Sequence, residues 1–379
     1  MKKILLVTLE YPPQKGGVAS YYSGLTQMLE KQGYMINVIS QKLLYNWFWP
    51  RWLKTYFTLR TATAKDKPDI IFVGQVLPLG TAAYLLRKRV PYVIFAHGMD
   101  MLMAQKSWRK QWLVKKILTN AKFVVVNSKY TKQQVERFKI QNPKSKIIVV
   151  YPCPLLAPNI SSQDVESLRQ KLGLAGKQIV LTLGRVVERK GHDLVIKALP
   201  EILKHFPNIV YVIAGTGPNL IKLNKLVEDL KISSAVRFVG PISDEERGVY
   251  YNLCDIFVMP SRQIGPVRGP RLWRGNRPRR LASNGIGPDV EGFGLAFLEA
   301  AQYGKPSLGG KSGGVPEAIL DSQTGILVDP QDSSAFSRAV VQLLRDNILR
   351  DELGKNAKAR VIHEFTWDKQ VQKILTVLQ

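Results

Sequence analysis

The chain has 379 residues, of which 45% are hydrophobic and 22% are charged, so it is long enough to bury two hydrophobic cores. It contains only two cysteines, Cys153 and Cys254, which excludes a disulfide framework and a paired-cysteine metal site. The formal net charge of +26 is uneven, because residues 1–150 carry 25 Lys and Arg against 6 Asp and Glu, and the remainder carries 30 against 23. A positive field concentrated in one half predicts an anionic partner for that half, either a lipid surface or a nucleic acid.

The N-terminus resembles the start of a signal peptide, since Lys2 and Lys3 precede an apolar stretch at 4–9. That stretch is too short and no small-residue cleavage site follows it, so we interpret it as the first β-strand. No apolar run approaches the roughly 20 residues that a membrane-spanning helix needs. We therefore expect a cytoplasmic protein that does not cross a membrane. If it binds a membrane, we expect it to do so peripherally, at the inner face of the plasma membrane.

Short β-branched runs alternate with longer amphipathic runs along the chain. In the first half the pattern predicts strands at 3–8, 35–39, 69–73, 91–95, 122–126 and 146–150, with helices at 18–32 and 107–119. The strands are almost continuously apolar, which indicates burial on both faces and hence a parallel sheet covered by helices. A proline-rich connector at 151–158 ends this half, because proline fixes φ and cannot donate to a ladder.

The alternation restarts after the connector. It predicts strands at 178–183, 209–213, 236–239, 255–258 and 326–328, and helices at 191–204, 219–230, 294–303 and 332–345. A last helix is predicted at 366–378, with Thr366 as its N-cap. The fold class is therefore α/β, with two doubly wound parallel-sheet domains in tandem and a cleft between them.

Two glutamates, Glu291 and Glu299, flank the start of one predicted helix, which begins with the glycine-rich turn Gly292-Phe293-Gly294. The first turn of a helix presents free backbone N–H groups and a positive dipole end, and phosphate is the anion that most often binds there. Glu291 lies in the loop, where it can accept hydrogen bonds from sugar hydroxyls, and Glu299 lies where it can reach a ribose. A solvated helix face is the alternative.

A basic loop, Gly184-Arg185-Val186-Val187-Glu188-Arg189-Lys190-Gly191, directly follows the strand at 178–183. Ligands of open α/β sheets bind beyond the carboxyl ends of the strands. We therefore expect Arg185 and Lys190 to hold a diphosphate, Arg185 by bidentate hydrogen bonds and Lys190 as a point charge. Exposed basic residues without a ligand are the alternative.

Weaker signals lie at other strand ends. Gly16 and Gly17 open the first helix and allow close approach of the backbone to a ligand. His97 follows a strand, where a structural and a chemical role are equally expected. The turn that begins at Gly215 lacks the third glycine of the dinucleotide fingerprint, which argues against NAD. Another glycine turn, at 311–317, leads into a helix whose first turn holds a proline.

These residues together resemble the large retaining glycosyltransferase family known as GT4 or glycosyl transferases group 1, and look most like phosphatidylinositol mannosyltransferases. The resemblance covers nearly the whole chain, and the two spaced glutamates with Arg185 and Lys190 are its most specific part. It implies the GT-B fold, in which two Rossmann-like domains face a cleft. The implied parts are an acceptor-side domain at 1–152, a nucleotide-sugar domain at 153–364 and a C-terminal helix at 365–379 that crosses back.

The resemblance also implies residue roles. The catalytic residues would be His97, Arg185, Lys190 and Glu291. The donor-binding residues would be Gly16, Gly17, Arg185, Lys190, Gly215, Val239, Glu291, Gly292, Phe293, Gly294, Leu295 and Glu299. Transfer would retain the anomeric configuration, with the leaving diphosphate as base and with Arg185 and Lys190 in place of Mg²⁺. No Asp-x-Asp motif occurs, so we expect neither a metal nor a cofactor.

The form of the glutamate motif favours transfer of mannose from GDP-mannose to a lipid-linked or glycan acceptor. A UDP-sugar-dependent transferase of polysaccharide synthesis is the alternative within the class. A nucleotide-sugar epimerase, a non-catalytic nucleotide-sugar sensor and a nucleic-acid-binding protein are alternatives outside it. We find no nucleic-acid recognition module and expect no nucleic-acid partner. Aromatic and basic residues interleave at 45–60 and 106–116, which favours an anionic membrane surface, with core packing of the aromatics as the alternative.

One segment departs from the family pattern. The tripeptide Ile-Gly-Pro occurs at 264–266 and again at 286–288, and the arginines between are Arg268, Arg271, Arg274, Arg277, Arg279 and Arg280. Removal of 267–288, which we name the arginine-rich segment, would join Pro266 to Asp289, as related sequences run. We interpret the segment as an inserted, disordered and exposed loop beside the donor pocket. An evolved loop that grips an anionic acceptor is the alternative.

Overall fold

The computed structural model describes residues 2–14, 16–40, 43–44, 50, 52–105, 107–140, 146–155, 157–265, 271–274, 277–280 and 289–378. Most of the arginine-rich segment lies outside these residues, as do residues 45–49 and 51 of the aromatic and basic stretch at 45–60. The chain forms two compact units. The first comprises Met1–Cys153, Gly265–Pro288 and Phe365–Gln379, and the second comprises Pro154–Ile264 and Asp289–Glu364.

The strands of the described residues are β1 (Lys3–Val7), β2 (Met35–Ile39), β3 (Ile70–Val73), β4 (Tyr92–Ala96), β5 (Phe123–Val126), β6 (Lys146–Val149), β7 (Gln178–Leu183), β8 (Ile209–Ala214), β9 (Val236–Gly240), β10 (Ile256–Met259), β11 (Arg271–Arg274), β12 (Arg277–Arg280), β13 (Ser307–Gly310) and β14 (Gly325–Val328). The helices are α1 (Gly17–Lys31), α2 (Leu53–Asp66), α3 (Leu79–Leu86), α4 (Met99–Ala104), α5 (Trp108–Asn120), α6 (Lys129–Glu136), α7 (Ser162–Lys171), α8 (His192–His205), α9 (Leu220–Asp229), α10 (Arg247–Leu253), α11 (Leu295–Gln302), α12 (Val315–Ala318), α13 (Ser333–Arg345), α14 (Asn347–Glu364) and α15 (Trp367–Leu378).

The sheet of the first unit is parallel throughout, in the order β2-β1-β3-β4-β5-β6. Successive residues of β1 point to opposite faces, so that Leu5 and Val7 enter a core with α3 and α5. Ile4 and Leu6 enter a second core, with α1 and α15. The predicted burial of both sheet faces is confirmed.

The C-terminal helix α15 packs in the first unit. The Gln370 side chain accepts a hydrogen bond from the backbone N–H of Tyr151 at 3.0 Å, and Lys373 donates to the carbonyl of Val149 at 3.3 Å. The indole of Trp367 lies edge-on to the ring of Tyr21 in α1, with centroids 5.4 Å apart. Apolar and polar contacts thus both attach α15 to this unit.

The sheet of the second unit is also parallel, in the order β14-β13-β10-β7-β8-β9. The strand order therefore reverses between β7 and β10, which is the doubly wound arrangement of a Rossmann fold. In the first unit the reversal lies between β1 and β3. Ligands of such sheets bind at the carboxyl ends of the strands beside the reversal, so each unit has one position where a site is expected.

The structure adds several elements to those named from the sequence. These are strand β13 and the helices α2, α3, α4, α6, α7, α10 and α14. Within the arginine-rich segment, where we expected a disordered loop, β11 and β12 pair as antiparallel strands. The rest of that segment lies outside the described residues.

Candidate functional site

The reversal point of the second unit brings together the loop after β7 and the end of β10. The loop begins with Gly184 and Arg185, and the guanidinium of Arg185 is exposed. No described residue forms an ion pair or a hydrogen bond with that side chain. Arg185 is thus a charge at the expected ligand position that has no partner within the described protein.

Lys190 lies at the end of the same loop but is only 9% exposed. Its Nζ is 3.1 Å from Sδ of Met259, the last residue of β10, and its side chain lies over Gly184. Burial lowers the pKa of Lys190 to about 8, although the nearby carboxylates Glu291 and Glu299 act to raise it. A thioether solvates an ammonium poorly, so an anion that bound here would stabilise its charge.

Glu291 is held by Arg189, the neighbour of Lys190. Nη1 of Arg189 donates to Oε2 of Glu291, and its Nε lies 3.1 Å from Oδ1 of Asp289. All three side chains are largely buried. Burial alone would raise the pKa of Glu291, but the positive charges of Arg189 and Lys190 outweigh it and hold that pKa below its usual range. The other oxygen of this carboxylate, Oε1, accepts no hydrogen bond from a described residue.

Glu299 has a different pair of partners. Its Oε2 accepts hydrogen bonds from Nη2 of Arg247 and from the hydroxyl of Tyr251, each at 2.7 Å. The Tyr251 ring stacks on Tyr303, with ring centroids 5.9 Å apart, and burial together with the charge of Glu299 raises its pKa well above the usual value. Glu299 is thus fixed through one oxygen, and Oε1 accepts no hydrogen bond from the described residues.

The backbone between the two glutamates forms the amino end of α11. Gly294 has φ +102°, and a Cβ there would collide with Phe297, so the sharp entry to the helix requires glycine. The turn at Gly314 lies against this loop, with its N–H donating to the carbonyl of Glu291 at 3.0 Å. The side chain of Phe293 is 2% exposed and belongs to the core.

Gly215 and Val239 lie at the ends of β8 and β9. The N–H of Gly215 donates to the carbonyl of Gly240 at 2.7 Å, and its Cα lies too close to Gly184 for a side chain. Val239 is half-buried. The ends of β7, β8 and β9 are therefore joined by backbone contacts that leave no room for a Cβ at Gly215.

A second group lies at the carboxyl ends of β3 and β4 in the first unit. The hydroxyl of Tyr22 donates to the carbonyl of Gly74 at 2.8 Å and lies 2.7 Å from Nε2 of His97. A phenol has one proton, so the imidazole must donate from Nε2, and Nδ1 then carries the lone pair. Nδ1 has no hydrogen-bond partner among the described residues. Burial lowers the pKa of His97 to about 4, which keeps it neutral near pH 7.

The backbone around His97 is also fixed. Oδ1 of Asp100 accepts from the N–H of His97 at 3.2 Å and from that of Met101 at 3.0 Å. Gly16, with φ +153°, precedes α1, and a Cβ on Gly17 would meet nothing within 4 Å. The amino end of α1 thus faces open space, as a loop that admits a ligand would.

The sequence matches two family profiles. That of Glycosyl transferases group 1 matches residues 164–360, and that of Glycosyltransferase Family 4 matches residues 15–153. The first match covers more than half of the chain. The chain belongs to the group 1 glycosyltransferases, which confirms the resemblance.

Relatives and solved structures agree with that assignment. A GDP-mannose-dependent alpha-(1-6)-phosphatidylinositol monomannoside mannosyltransferase of Mycolicibacterium smegmatis is 27% identical, over 99% of this chain and 98% of its own. The crystal structure of Anabaena HepE in complex with UDP and glucose has a TM-score of 0.75 and 18% identity, over 100% of this chain and 99% of that one. Sucrose-phosphate synthase from Thermosynechococcus elongatus has a TM-score of 0.78 and 22% identity, over 100% and 98%. The fold is thus the predicted GT-B fold.

The glycosyltransferase contains site neighbours that sequence reasoning missed. These are Tyr22, Arg189, Arg247, Tyr251 and Asp289. Arg189 adjoins a predicted residue, and Asp289 lies two residues before another, so their position was a signal. Tyr22 and Tyr251 lie inside helices and resemble ordinary core residues.

Within the described part of this glycosyltransferase, no group of three His, Cys, Asp or Glu side chains is arranged to hold a metal ion. Independence from metals and cofactors stays a prediction. Across the described ranges, no helix combines the length and apolar character that crossing a bilayer requires.

Proposed function

We propose that this glycosyltransferase transfers mannose, a hexose, from GDP-mannose to a lipid-linked or glycan acceptor. The transfer would retain the anomeric configuration and would need no metal. In this proposal residues 153–364 bind the donor, and residues 1–152 with the helix at 365–379 serve the acceptor side. The enzyme would act in the cytoplasm at the inner face of the plasma membrane. The relatives named as GDP-mannose-dependent mannosyltransferases support the donor.

The observation that carries the proposal is the charge arrangement beside β7 and β10. A buried ammonium, Lys190, and an exposed guanidinium, Arg185, lie at the strand ends where a diphosphate is expected. Glu291 and Glu299 are held as hydrogen-bond acceptors close to Lys190, each with one oxygen remaining. Cations for a diphosphate beside acceptors for hydroxyl groups match the two halves of a nucleotide-sugar.

These residues would perform retaining transfer by neutralising charge. The acceptor hydroxyl would attack the anomeric carbon on the face from which the diphosphate leaves. The carbon–oxygen bond to the diphosphate breaks, the new glycosidic bond forms, and the hydroxyl proton passes to a diphosphate oxygen. Arg185 and Lys190 would stabilise the developing negative charge, and Glu291 would orient the sugar. Neutral His97, with its lone pair on Nδ1, would accept a hydrogen bond from a sugar hydroxyl.

Calorimetric titration with GDP and with UDP tests the donor. We expect GDP to bind more tightly, and Arg185→Gln to weaken binding roughly 10-fold or more, since a hydrogen bond to a charged group contributes about 1.5–3 kcal/mol. Arg338→Gln on α13 is the matched control, because it removes an exposed arginine outside the site. Binding of neither nucleotide would refute the donor site.

Turnover tests the remainder. GDP-mannose, lipid extract and enzyme are incubated with and without EDTA, and the anomeric configuration of the product is read by NMR. We expect an α-linked product at an unchanged rate in EDTA. An inverted product, or activity that is lost in EDTA and restored by Mg²⁺, would contradict the proposal.

UDP-sugars are the second candidate donor. The structure of HepE, whose fold this chain shares, was solved with UDP and glucose. A preference for UDP in the same titration would move the proposal to a UDP-sugar and leave the roles of Arg185 and Lys190 unchanged.

The membrane part of the proposal rests on α5. Trp108 is 73% exposed and Trp112 is 61% exposed, four residues apart on one face of the helix. Arg109 and Lys116 lie over these two indoles, at 5.4 and 5.6 Å from the ring centroids. The alternative of core packing does not hold for these two rings, and exposed indoles with cations suit an anionic bilayer surface.

Vesicle sedimentation tests this surface. We expect the protein to bind phosphatidylserine-containing vesicles at low salt and not to bind phosphatidylcholine vesicles. The double variant Trp108→Ala/Trp112→Ala should weaken binding roughly 10-fold, whereas Ile221→Ala, which removes an exposed apolar residue of the second unit, should not. Equal binding by the two variants would remove α5 from the proposal.

A further inference from the structure

The chain before the arginine-rich segment meets the chain after it in the second unit. Ile264 and Asp289 form an antiparallel bridge in which each backbone N–H donates to the other's carbonyl, at 2.8 and 3.1 Å. We name this bridge the base of the segment. Asp289 is two residues before Glu291, so the position of the Glu291 carboxylate depends on how the base is held.

The base is joined to Glu291 by a single guanidinium. Arg189 pairs with Asp289, the last residue of the bridge, and with Glu291. The two carboxylates would repel each other without a cation between them, and burial strengthens that repulsion. The carbonyl of Arg189 accepts from the N–H of Arg262 at 2.8 Å, two residues before Ile264 on the other strand of the base. Arg189 thus contacts both sides of the base and the glutamate.

We infer that Arg189 is a positioning residue that isolates Glu291 from the arginine-rich segment. The side chain of Arg189 holds both Asp289, which follows the segment, and the carboxylate of Glu291, so the presence of residues 267–288 does not displace Glu291. This inference rests on the proposed role of Glu291 toward the donor sugar. A lysine at 189 would supply one point charge in place of a planar guanidinium whose Nη1 donates to Glu291 while its Nε lies beside Asp289, and would hold one carboxylate better than both.

The experiment combines Arg189 with removal of the segment. Arg189→Met and Arg189→Lys are made in the full chain and in a chain that lacks 267–288, where Pro266 joins Asp289 directly. In the shortened chain the covalent bond holds the base, and no loop-closure entropy opposes the bridge. Arg262→Met is the matched control, because Arg262 pairs with Asp193 at 2.8 Å and with neither Asp289 nor Glu291.

Two measurements, the KM for the nucleotide-sugar and the Kd for the nucleoside diphosphate, distinguish contacts with the sugar from contacts with the diphosphate. In the full chain we expect Arg189→Met to raise the KM for the nucleotide-sugar about 10-fold, as the loss of about 1.4 kcal/mol would, and to change the Kd for the nucleoside diphosphate less than about threefold. In the shortened chain Arg189→Met should raise the KM less than about threefold. Arg189→Lys should raise the KM less than Arg189→Met does. Arg262→Met should have equal effects in both chains. An equal KM effect of Arg189→Met in both chains, or an equal loss of both ligands, would overturn the inference.

Failure of the proposed function is recognised separately. If the unaltered chain binds no nucleotide-sugar, that proposal fails, and thermal unfolding of the same variants decides the inference. Non-additive effects of Arg189→Met and the deletion on unfolding free energy are expected, because the two changes act on one contact. Additive effects would refute the link between Arg189 and the segment.

Discussion

The hydroxyl of Tyr22 lies 2.7 Å from Nε2 of His97 and determines which nitrogen of the imidazole carries the proton. Because Tyr22 gives its only proton to the carbonyl of Gly74, His97 must donate from Nε2. Nδ1 then carries the lone pair and can accept a hydrogen bond. The distinction matters chemically, since the other tautomer would present a donor at the same place.

Replacement of Tyr22 by Phe should release this constraint. We expect ¹⁵N NMR to find His97 as the Nε2–H tautomer in the unaltered protein and as a mixture in Tyr22→Phe, with kcat reduced roughly 10-fold. Tyr21→Phe is the control, because the Tyr21 ring also lies edge-on to His97, at 5.4 Å, but makes no hydrogen bond to it. The same tautomer in all three proteins would show that Tyr22 does not determine it, and an Nδ1–H tautomer in the unaltered protein would contradict the assignment.

Lys190 should make anion binding pH-dependent. Its pKa in the free protein is about 8, below the ordinary lysine value, so the ammonium is charged below pH 8 and loses its proton above it. The Kd for a nucleoside diphosphate should therefore rise toward about 10-fold per pH unit above pH 8, because binding must then take up a proton. Calorimetry at pH 7, 8 and 9 measures this.

Lys190→Arg provides the comparison, since a guanidinium stays charged throughout this range. The variant should show a flatter dependence than the unaltered protein, and any titration of the nucleobase affects both proteins equally. A Kd for the unaltered protein that is constant from pH 7 to 9 would show that Lys190 does not pair with the diphosphate.

The fold could be predicted where strands are long and apolar, and was missed where packing depends on small residues. Strand β13 has the sequence Ser-Leu-Gly-Gly, which lacks the β-branched character of its neighbours. Helix α14 approaches the rest of the unit through Gly354, where a Cβ would collide with the carbonyl of Gly304. The helix buries only a narrow stripe, Leu353, Ala357 and Val361, beside this glycine, and its alanine adds little apolar surface, so the periodicity was too weak to reveal it.

The candidate site divides in the same way. Arg185, Lys190 and Glu291 could be found because they follow strands or open a helix, which are local features of the sequence. The pairings of the glutamates could not, because Arg189, although it adjoins Lys190, is 102 residues from Glu291, and Arg247 is 52 from Glu299. Only tertiary packing brings those charges together, and an arginine on a helix otherwise resembles a solvated surface residue.

Docking of the C-terminal helix should depend on the absence of a side chain at Gly24. A Cβ there would lie well inside van der Waals contact with the indole of Trp367. Gly24→Ala should displace the ring and lower the unfolding free energy by about 1–3 kcal/mol, as overpacking does. Thermal unfolding with tryptophan fluorescence measures both effects.

Gly17→Ala is the stability control for this prediction, because it lies on the same helix and its added Cβ would meet nothing within 4 Å. A smaller side chain should relieve the overlap, so Gly24→Ala/Trp367→Leu should be more stable than the sum of the two single changes predicts. Equal melting temperatures for Gly24→Ala and Gly17→Ala would show that α15 does not need this contact.

Glu299 should bind the ribose through Oε1, the carboxylate oxygen to which neither Arg247 nor Tyr251 donates. Arg247 and Tyr251 both donate to Oε2, so Oε1 remains to accept from ribose hydroxyls. A nucleoside diphosphate without its 2′- and 3′-hydroxyls should bind roughly 10-fold or more weakly, because a hydrogen bond to a carboxylate contributes about 1.5–3 kcal/mol. The ratio of the two Kd values, measured by calorimetry, is the quantity of interest.

Tyr251→Phe should reduce that ratio, because Glu299 loses one of the two hydrogen bonds that orient it, while Glu299→Gln should reduce it further by removing the charge. Tyr250→Phe is the matched control, since Tyr250 is the neighbouring tyrosine on α10 and donates no hydrogen bond to Glu299. If Tyr251→Phe weakened both nucleotides equally, the tyrosine would support the fold of the pocket and not the orientation of the carboxylate. A lower ratio with unchanged thermal stability would show that Tyr251 orients Glu299 toward the ribose. A fold defect cannot discriminate between ligands that differ only in two hydroxyls.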